Sequence, residues 1–273
     1  MGRTVWYPGH MAKGKRKLSE LAGKLDIIIE VRDARAPAQT SSPLVGELSS
    51  VCPIAVALSK RDLADEKATA KWLSYFAASG QKAWALDLLK PRMDQVRRDL
   101  AIFGPAHREV RLAVVGIPNV GKSMFLNALV GKSSAQVGGI PGITRGVSWY
   151  KGKGFLAVDS PGILDPKADD AVQRCLAWLG SSKAEVIGGY ENVALDLIAV
   201  LRRKNLWGMV EAKWNVAAPA ETSDEDVLEA LGRRLGCLVS GGAVDLSNAA
   251  RRFVEAFSTG RLGRVTLELP EES

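Results

Sequence analysis

The 273-residue chain is 47% hydrophobic and 25% charged, proportions that exclude a disordered protein and suit folded structure shared between two domains. Its longest apolar runs, Ile54–Leu58 and Leu112–Val115, fall far short of the ~20 residues of a membrane helix, and Cys52, Cys175 and Cys237 are too scattered for a zinc module or a disulfide framework. The net charge of +7 is uneven, with 24 basic against 13 acidic residues through 164 and 13 against 17 from Asp165 onward.

Taken in chain order, the N-terminal segment sets Arg3, Lys13, Lys15, Arg16, Lys17 and Lys24 against a single carboxylate, Glu20. It reads either as an electrostatic footprint for a polyanion such as RNA or as the solvated face of an amphipathic helix. No apolar stretch follows these charges, so a secretory signal is not indicated and a cytoplasmic protein is expected. Asp26–Val31 predicts a strand that ends in the loop Asp33-Ala34-Arg35-Ala36-Pro37. Pro53–Leu58 predicts a second strand, running into Ser59-Lys60-Arg61-Asp62, and Glu66–Ala78 has helical spacing. A strand is expected at Lys82–Leu86 and a helix around Met93–Phe103, before the Gly104-Pro105 break.

Arg111–Gly116 predicts a strand that enters Gly116-x4-Gly121-Lys122-Ser123, and Lys122–Val130 a helix that leaves it. That is the full phosphate-binding loop in its required strand–loop–helix setting. Backbone N–H groups freed by the glycines and the positive end of the helix favour phosphate oxygens, Lys122 pairs with the β- and γ-phosphates, and the Ser123 hydroxyl ligates Mg²⁺. Val120, Gly121 and Met124 complete this part of the nucleotide-contacting set.

Two strands, Val147–Lys151 and Gly154–Val158, precede Asp159-Ser160-Pro161-Gly162. There Asp159 is expected to hold Mg²⁺ through water and the Gly162 amide to sense the γ-phosphate. Thr144, between this segment and the phosphate loop, supplies a second Mg²⁺ hydroxyl in the triphosphate state. Strands alternating with helices imply an α/β fold, a mostly parallel doubly wound sheet. Helices are expected at Asp170–Leu179, Asn192–Lys204, Asp224–Leu235 and Asp245–Phe257, with a late strand run at Val265–Leu269. The expected division is therefore a nucleotide-binding domain over 1–166 and a small helical C-terminal domain over 167–273.

A phosphate loop alone does not separate ATP from GTP. Lys60-x-Asp62 at a strand end does, because the Asp62 carboxylate can accept from guanine N1–H and the exocyclic amine, a pair that adenine lacks. In ordinary GTPases this segment follows the phosphate loop, whereas here it precedes Gly116, so the G domain is circularly permuted. With this order, with Trp6-Tyr7-Pro8-Gly9-His10, with Asp33-Ala34-Arg35-Ala36-Pro37, and with Ala249-Ala250 through Phe253, Phe257 and Gly260-Arg261-Leu262-Gly263-Arg264, the chain resembles the YlqF/RbgA family of ribosome-assembly GTPases nearly end to end. The resemblance implies a cytoplasmic protein, monomeric off the ribosome. It binds the large ribosomal subunit precursor and its rRNA, and hydrolyses GTP to GDP on maturation.

Ile163 stands where many GTPases carry a glutamine that orients the attacking water. The resemblance offers His10 as a substitute; the other reading of His10 is a surface residue in a turn. It also makes Asn119 the ligand of a K⁺ ion at the phosphates. Slow intrinsic hydrolysis, stimulated by the ribosomal particle, is the expectation.

Ser59 replaces the asparagine usual in the guanine motif, and Asp87-Leu88-Leu89-Lys90 occupies the place of a Ser-Ala-Lys-like second specificity turn without matching it. A weakened guanine site is therefore expected, and the alternative function is an RNA-binding assembly factor with a degenerate nucleotide site. In the acidic C-terminal half, RNA contact would fall to Arg202-Arg203-Lys204, Arg233-Arg234 and Arg251-Arg252, or these would be solvated helix faces.

Overall fold

The aliphatic run after Asp26 forms strand β1 (Ile27–Asp33), buried along its length except at Arg32. Continuous apolar character of this kind, without alternation, belongs to a parallel strand covered on both faces. The computed structural model describes residues 16–131, 136–137, 149–160 and 169–272. The chain divides into two units, one of residues 5–167 with 268–273, the other of residues 168–267.

The first unit is built on a seven-stranded sheet. Beside β1 lie β2 (Ile54–Ser59), β3 (Ala83–Ala85), β4 (Val110–Val115), β5 (Gln136–Val137), β6 (Trp149–Gly152) and β7 (Phe155–Asp159), in the order β3-β2-β1-β4-β7-β6-β5. The pairs β2/β3, β1/β2, β1/β4 and β4/β7 are parallel, and β6 runs antiparallel to both β7 and β5. This is the mostly parallel sheet of a circularly permuted P-loop GTPase domain, with β4 at its centre and the parallel strands ending along one edge.

Helices cover both faces. Helix α1, over 16–22, puts Leu18, Leu21 and Ala22 against Ile28, Ala113, Val115, Trp149 and Val158. The short α2 (Leu44–Leu48) adds Leu48 to the same cluster. Helix α3 (Glu66–Ala78) starts where the Asp65 carboxylate accepts from Ala68 N at 2.8 Å. It buries Ala68, Trp72 and Phe76 at helical spacing, the last two against Val56 and Leu58. Helix α4 (Asp94–Leu100) follows β3, and a 3-10 turn at Ala101–Phe103 extends it. Helix α5 (Lys122–Val130) leaves the phosphate loop. Its carboxyl end is held by Arg97 of α4, which donates to Ala128 O at 3.0 Å and Leu129 O at 3.1 Å, a favourable place for a cation.

The second unit is helical, with α6 (Asp170–Trp178), α7 (Tyr190–Arg203), α8 (Gly208–Trp214), α9 (Asp224–Arg234) and α10 (Leu246–Ser258). Asp169, Ser223 and Asp245 cap α6, α9 and α10 by accepting from backbone N–H groups of the first turns. Its core gathers Ala249, Ala250, Phe253 and Phe257 from α10, and the rings of Trp207 and Trp214 lie 6.1 and 6.2 Å from that of Phe253. Helix α8 escapes sequence reading because it is short and opens at Trp207-Gly208. Several of the arginines considered for RNA also bond within the helical unit. Arg234 Nε donates to Trp214 O at 2.6 Å, Arg252 Nη1 to Leu235 O at 2.6 Å, and Arg202 pairs with Asp224.

The strand expected at Val265–Leu269 is not formed. Val265 and Leu267 are buried and Thr266 is half-buried, which accounts for the alternation in the sequence, but among the described residues no strand pairs with this segment. The last residues, 268–273, belong to the first unit. There Glu268 accepts from the backbone N–H groups of Ala38 and Gln39, and its carbonyl accepts from Trp72 Nε1 at 3.0 Å. Deleting residues 268–273 strands the buried indole N–H without an acceptor and frees the loop after β1. We expect the thermal midpoint of the first unit to fall by about 5 to 10 °C, since each buried unpaired donor costs roughly 1–3 kcal/mol. Differential scanning calorimetry of the truncated chain checks this, and an unshifted transition would refute it.

Candidate functional site

The loops after β4, β2, β3 and β1 and the end of β7 emerge at the carboxyl edge of the parallel strands, where ligands bind in open α/β sheets. After β4 the chain turns through Gly116 (φ 149°), Asn119 (φ 59°) and Gly121 (φ 97°) before α5 begins. A side chain at Gly116 would bring its Cβ within 2.5 Å of Val31 O, so the loop packs on β1 only because glycine stands there. Val120 is fully buried, whereas Asn119, Ser123 and Met124 are exposed.

Lys122 folds back over this loop and donates to Ile117 O at 3.3 Å. Burial pushes its pKa down against a partial Coulombic offset from Asp159, and burial raises the Asp159 pKa against the same offset from Lys122. Asp159 is open to solvent, yet enough protein surrounds its carboxylate to disfavour the charged form. Each charge thus offsets only part of the cost of burying the other. A triphosphate would satisfy Lys122. A hard divalent cation would satisfy Asp159, with the exposed Ser123 hydroxyl as a second oxygen donor. The donor set is thus suitable for Mg²⁺.

After β2, Ser59 is 1% exposed, and its hydroxyl lies 2.5 Å from Val120 O and 2.9 Å from Arg32 O, donating its single proton to one carbonyl at a time. Loss of asparagine at this position was expected to loosen the guanine loop. The tie itself is kept: the shorter serine reaches the phosphate loop directly, because β1 and β2 pair in register up to Asp33↔Ser59. Lys60 follows with φ 54°, and Asp62 lies in a 3-10 turn, Arg61–Leu63. Among the described residues the Asp62 carboxylate has no protein partner, as an acceptor for a ligand requires. The segment after β3 places Leu88 beside Gly121, while Asp87 accepts from Leu89 N at 2.9 Å and Lys90 N at 3.2 Å. The turn at Asp87–Lys90 thus lies beside the phosphate loop.

His10, Thr144, Ile163 and Gly162 lie outside the described residues. Ser59, Lys60, Asp62, Asn119, Val120, Gly121, Lys122, Ser123, Met124 and Asp159 all lie on the loops and strand ends of this edge.

Asp33 and Arg35 were readable in the sequence only as a strand-end motif, yet both are 0% exposed. Arg35 donates from Nε to Asp33 Oδ1 at 3.0 Å and from Nη2 to Oδ2 at 2.8 Å, and Lys60 Nζ is 2.9 Å from Oδ2. Burial alone would raise the Asp33 pKa, but Arg35 and Lys60 outweigh it and hold the carboxyl down at about 2. In the unfolded chain the group titrates near 4. Its ionised form therefore adds about 2 kcal/mol above that pH, a contribution lost as pH falls from roughly 4 through 2. Urea midpoints measured from pH 5 downward should decline through this window, and a flat profile would contradict the pairing. The thiols take no part: all three cysteines are free and buried, and burial pushes Cys52 up to about 11.

Comparison with known proteins agrees with this geometry. Residues 111–209 match the family model described as 50S ribosome-binding GTPase. The chain is 33% identical to Ribosome biogenesis GTPase A of Bacillus cereus, over 98% of this chain and 94% of the relative. It is 33% identical to Ribosome biogenesis GTPase A of Thermotoga maritima, over 98% and 95%. Among solved structures, GNP-bound YlqF from T. maritima superposes with a TM-score of 0.69 at 27% identity, covering 96% of this chain and all of the other.

Proposed function

The chain belongs to the RbgA/YlqF family of ribosome biogenesis GTPases, and on that footing we propose that it is a cytoplasmic GTP-driven switch that assists assembly of the large ribosomal subunit, its hydrolysis stimulated by the ribosomal particle. The observation that carries this reading is the direct bond from Ser59 to Val120, which joins the loop that distinguishes bases to the loop that holds phosphates.

On binding, Lys122 exchanges the Ile117 carbonyl for β- and γ-phosphate oxygens, and the loop amides close around the β-phosphate. Asp62 accepts from the guanine edge. Ser123 and Asp159 would hold Mg²⁺, with Thr144 as a further ligand in the triphosphate state, and the ion would supply charge neutralisation at the phosphates. Gly162 would sense the γ-phosphate, Asn119 would hold K⁺, and His10 would position the attacking water. The bacterial relatives' names place them in ribosome biogenesis, which supports a ribosomal precursor as partner; the large-subunit precursor with its rRNA, and a monomer off the particle, are part of the proposal.

Equilibrium titration of the free protein with GTP, GDP and ATP tests the base assignment. Guanine nucleotides should bind far more tightly than ATP, and equal affinities would overturn the reading. Turnover on large-subunit precursors should be faster in K⁺ than in Na⁺, and equal rates would remove the ion from Asn119. A His10→Ala variant with full stimulated turnover would remove His10 from the chemistry.

A further inference from the structure

We propose that Asp33, backed by Arg35, is a positioning residue for guanine-nucleotide binding: its carboxylate fixes Lys60 and thereby aims the loop that carries Asp62. The inference rests on the reading of residues 59–62 as the base-recognition loop.

Three observations carry it. First, the pairing of β1 with β2 ends at Asp33↔Ser59, so the fully buried Asp33 carboxylate lies beside the point where the loop leaves the sheet. The carboxylate is itself immobilised. Asp33 N donates to Thr40 Oγ1 at 3.0 Å, and Arg35 donates its backbone N–H to Asp33 Oδ1 at 3.0 Å.

Second, Arg35 alone balances the Asp33 charge. Lys60 is a second cation on one carboxylate, with its side chain 24% exposed at 2.9 Å from Oδ2. A lysine at a loop could extend into water at no electrostatic penalty. Here it turns inward instead, from a left-handed backbone (φ 54°) that side-chain-bearing residues seldom adopt. The ion pair holds that conformation.

Third, the loop is pinned at both neighbouring residues, at Ser59 through Val120 O and at Lys60 through Asp33. The next elements are the turn Arg61–Leu63 and Asp62, whose carboxylate has no protein partner among the described residues. With Lys60 fixed, the direction of Asp62 follows from the chain geometry, and the Lys60 stem lies where it can support the base. Asp33 would touch neither base nor phosphate; it acts through Lys60.

A double-mutant cycle on Asp33 and Lys60, read as GDP affinity by calorimetric titration in Mg²⁺, tests this. Asp33→Asn and Lys60→Met should each weaken GDP by about tenfold, the loss of one charge-assisted contact. The double variant should bind no worse than either single one. If Asp33 only supports the sheet, the losses multiply to roughly a hundredfold and the proposal falls. Removing a buried charge partner can unfold a chain. Asp33→Glu therefore keeps a carboxylate for Arg35 while displacing it from Lys60, and it should weaken GDP only when Lys60 is present. Full GDP affinity in Lys60→Met, which keeps the Asp33–Arg35 pair, also overturns the proposal. Asp62→Asn separates the two failures. If that variant does not come to prefer xanthosine over guanosine diphosphate, the base-recognition reading fails and the proposal with it. If the preference switches but the cycle is multiplicative, only the proposal fails.

Discussion

Replacement of Lys122 by alanine is expected to lower the affinity for GTP and GDP by about a hundredfold or more while leaving the fold intact. Charge-assisted hydrogen bonds contribute about 1.5–3 kcal/mol each, and Lys122 is placed to make them to two phosphates. Among the described residues Lys122 Nζ donates a long hydrogen bond to Ile117 O at 3.3 Å, and burial depresses its pKa. The ammonium is therefore a mild burden on the fold when no anion is present. Its removal should leave the thermal midpoint unchanged or slightly raised. Calorimetric titration together with thermal unfolding separates the two effects. Binding that survives the substitution would mean that the phosphates lie elsewhere.

The second large effect is a change of base. Asp62→Asn should weaken guanosine nucleotides by about a hundredfold, because an amide N–H then faces the guanine exocyclic amine and one acceptor is lost. The same amide can donate to the C2 carbonyl of xanthine, so xanthosine nucleotides should gain what guanosine nucleotides lose. Asp62 is partly exposed on a 3-10 turn and carries no protein partner among the described residues, so folding should not change. Competition between the two diphosphates gives the answer, and retained guanine preference would place the base reader elsewhere.

Much of this site is legible in the sequence because its chemistry is local. Gly116, Gly121, Lys122 and Ser123 are close in sequence, and the strand before them and the helix after them carry their own signals. Asp159 is recognisable because it ends an apolar strand, and Asp62 because it follows one by three residues. The signals fail where the determinant is a partner distant in the chain. The bond from Ser59 to Val120 spans 61 positions, and nothing in Ser59-Lys60-Arg61-Asp62 reveals that a serine can reach. Asp33 and Arg35 look like a turn motif until β1 is paired with β2. Glu268 binds the loop at Ala38 and Gln39, 230 and 229 positions away, so the end of the chain reads as part of the helical region when it belongs to the sheet unit. Val265–Leu267 has the alternation of a strand, but a strand also needs a neighbour to pair with.

The basic clusters of the helical unit show the same limit. Arg202, Arg234 and Arg252 were readable as charge, but their bonds to Asp224, Trp214 O and Leu235 O come from the packing of α7 to α10.

The account stands most directly on whether nucleotide state governs association with the ribosome. Sedimentation of the protein with large-subunit precursors, in a non-hydrolysable GTP analogue and in GDP, measures that. Co-sedimentation with the analogue and release with GDP, a difference abolished by Lys122→Ala, is the result predicted here. Equal association in both nucleotides would contradict the switch.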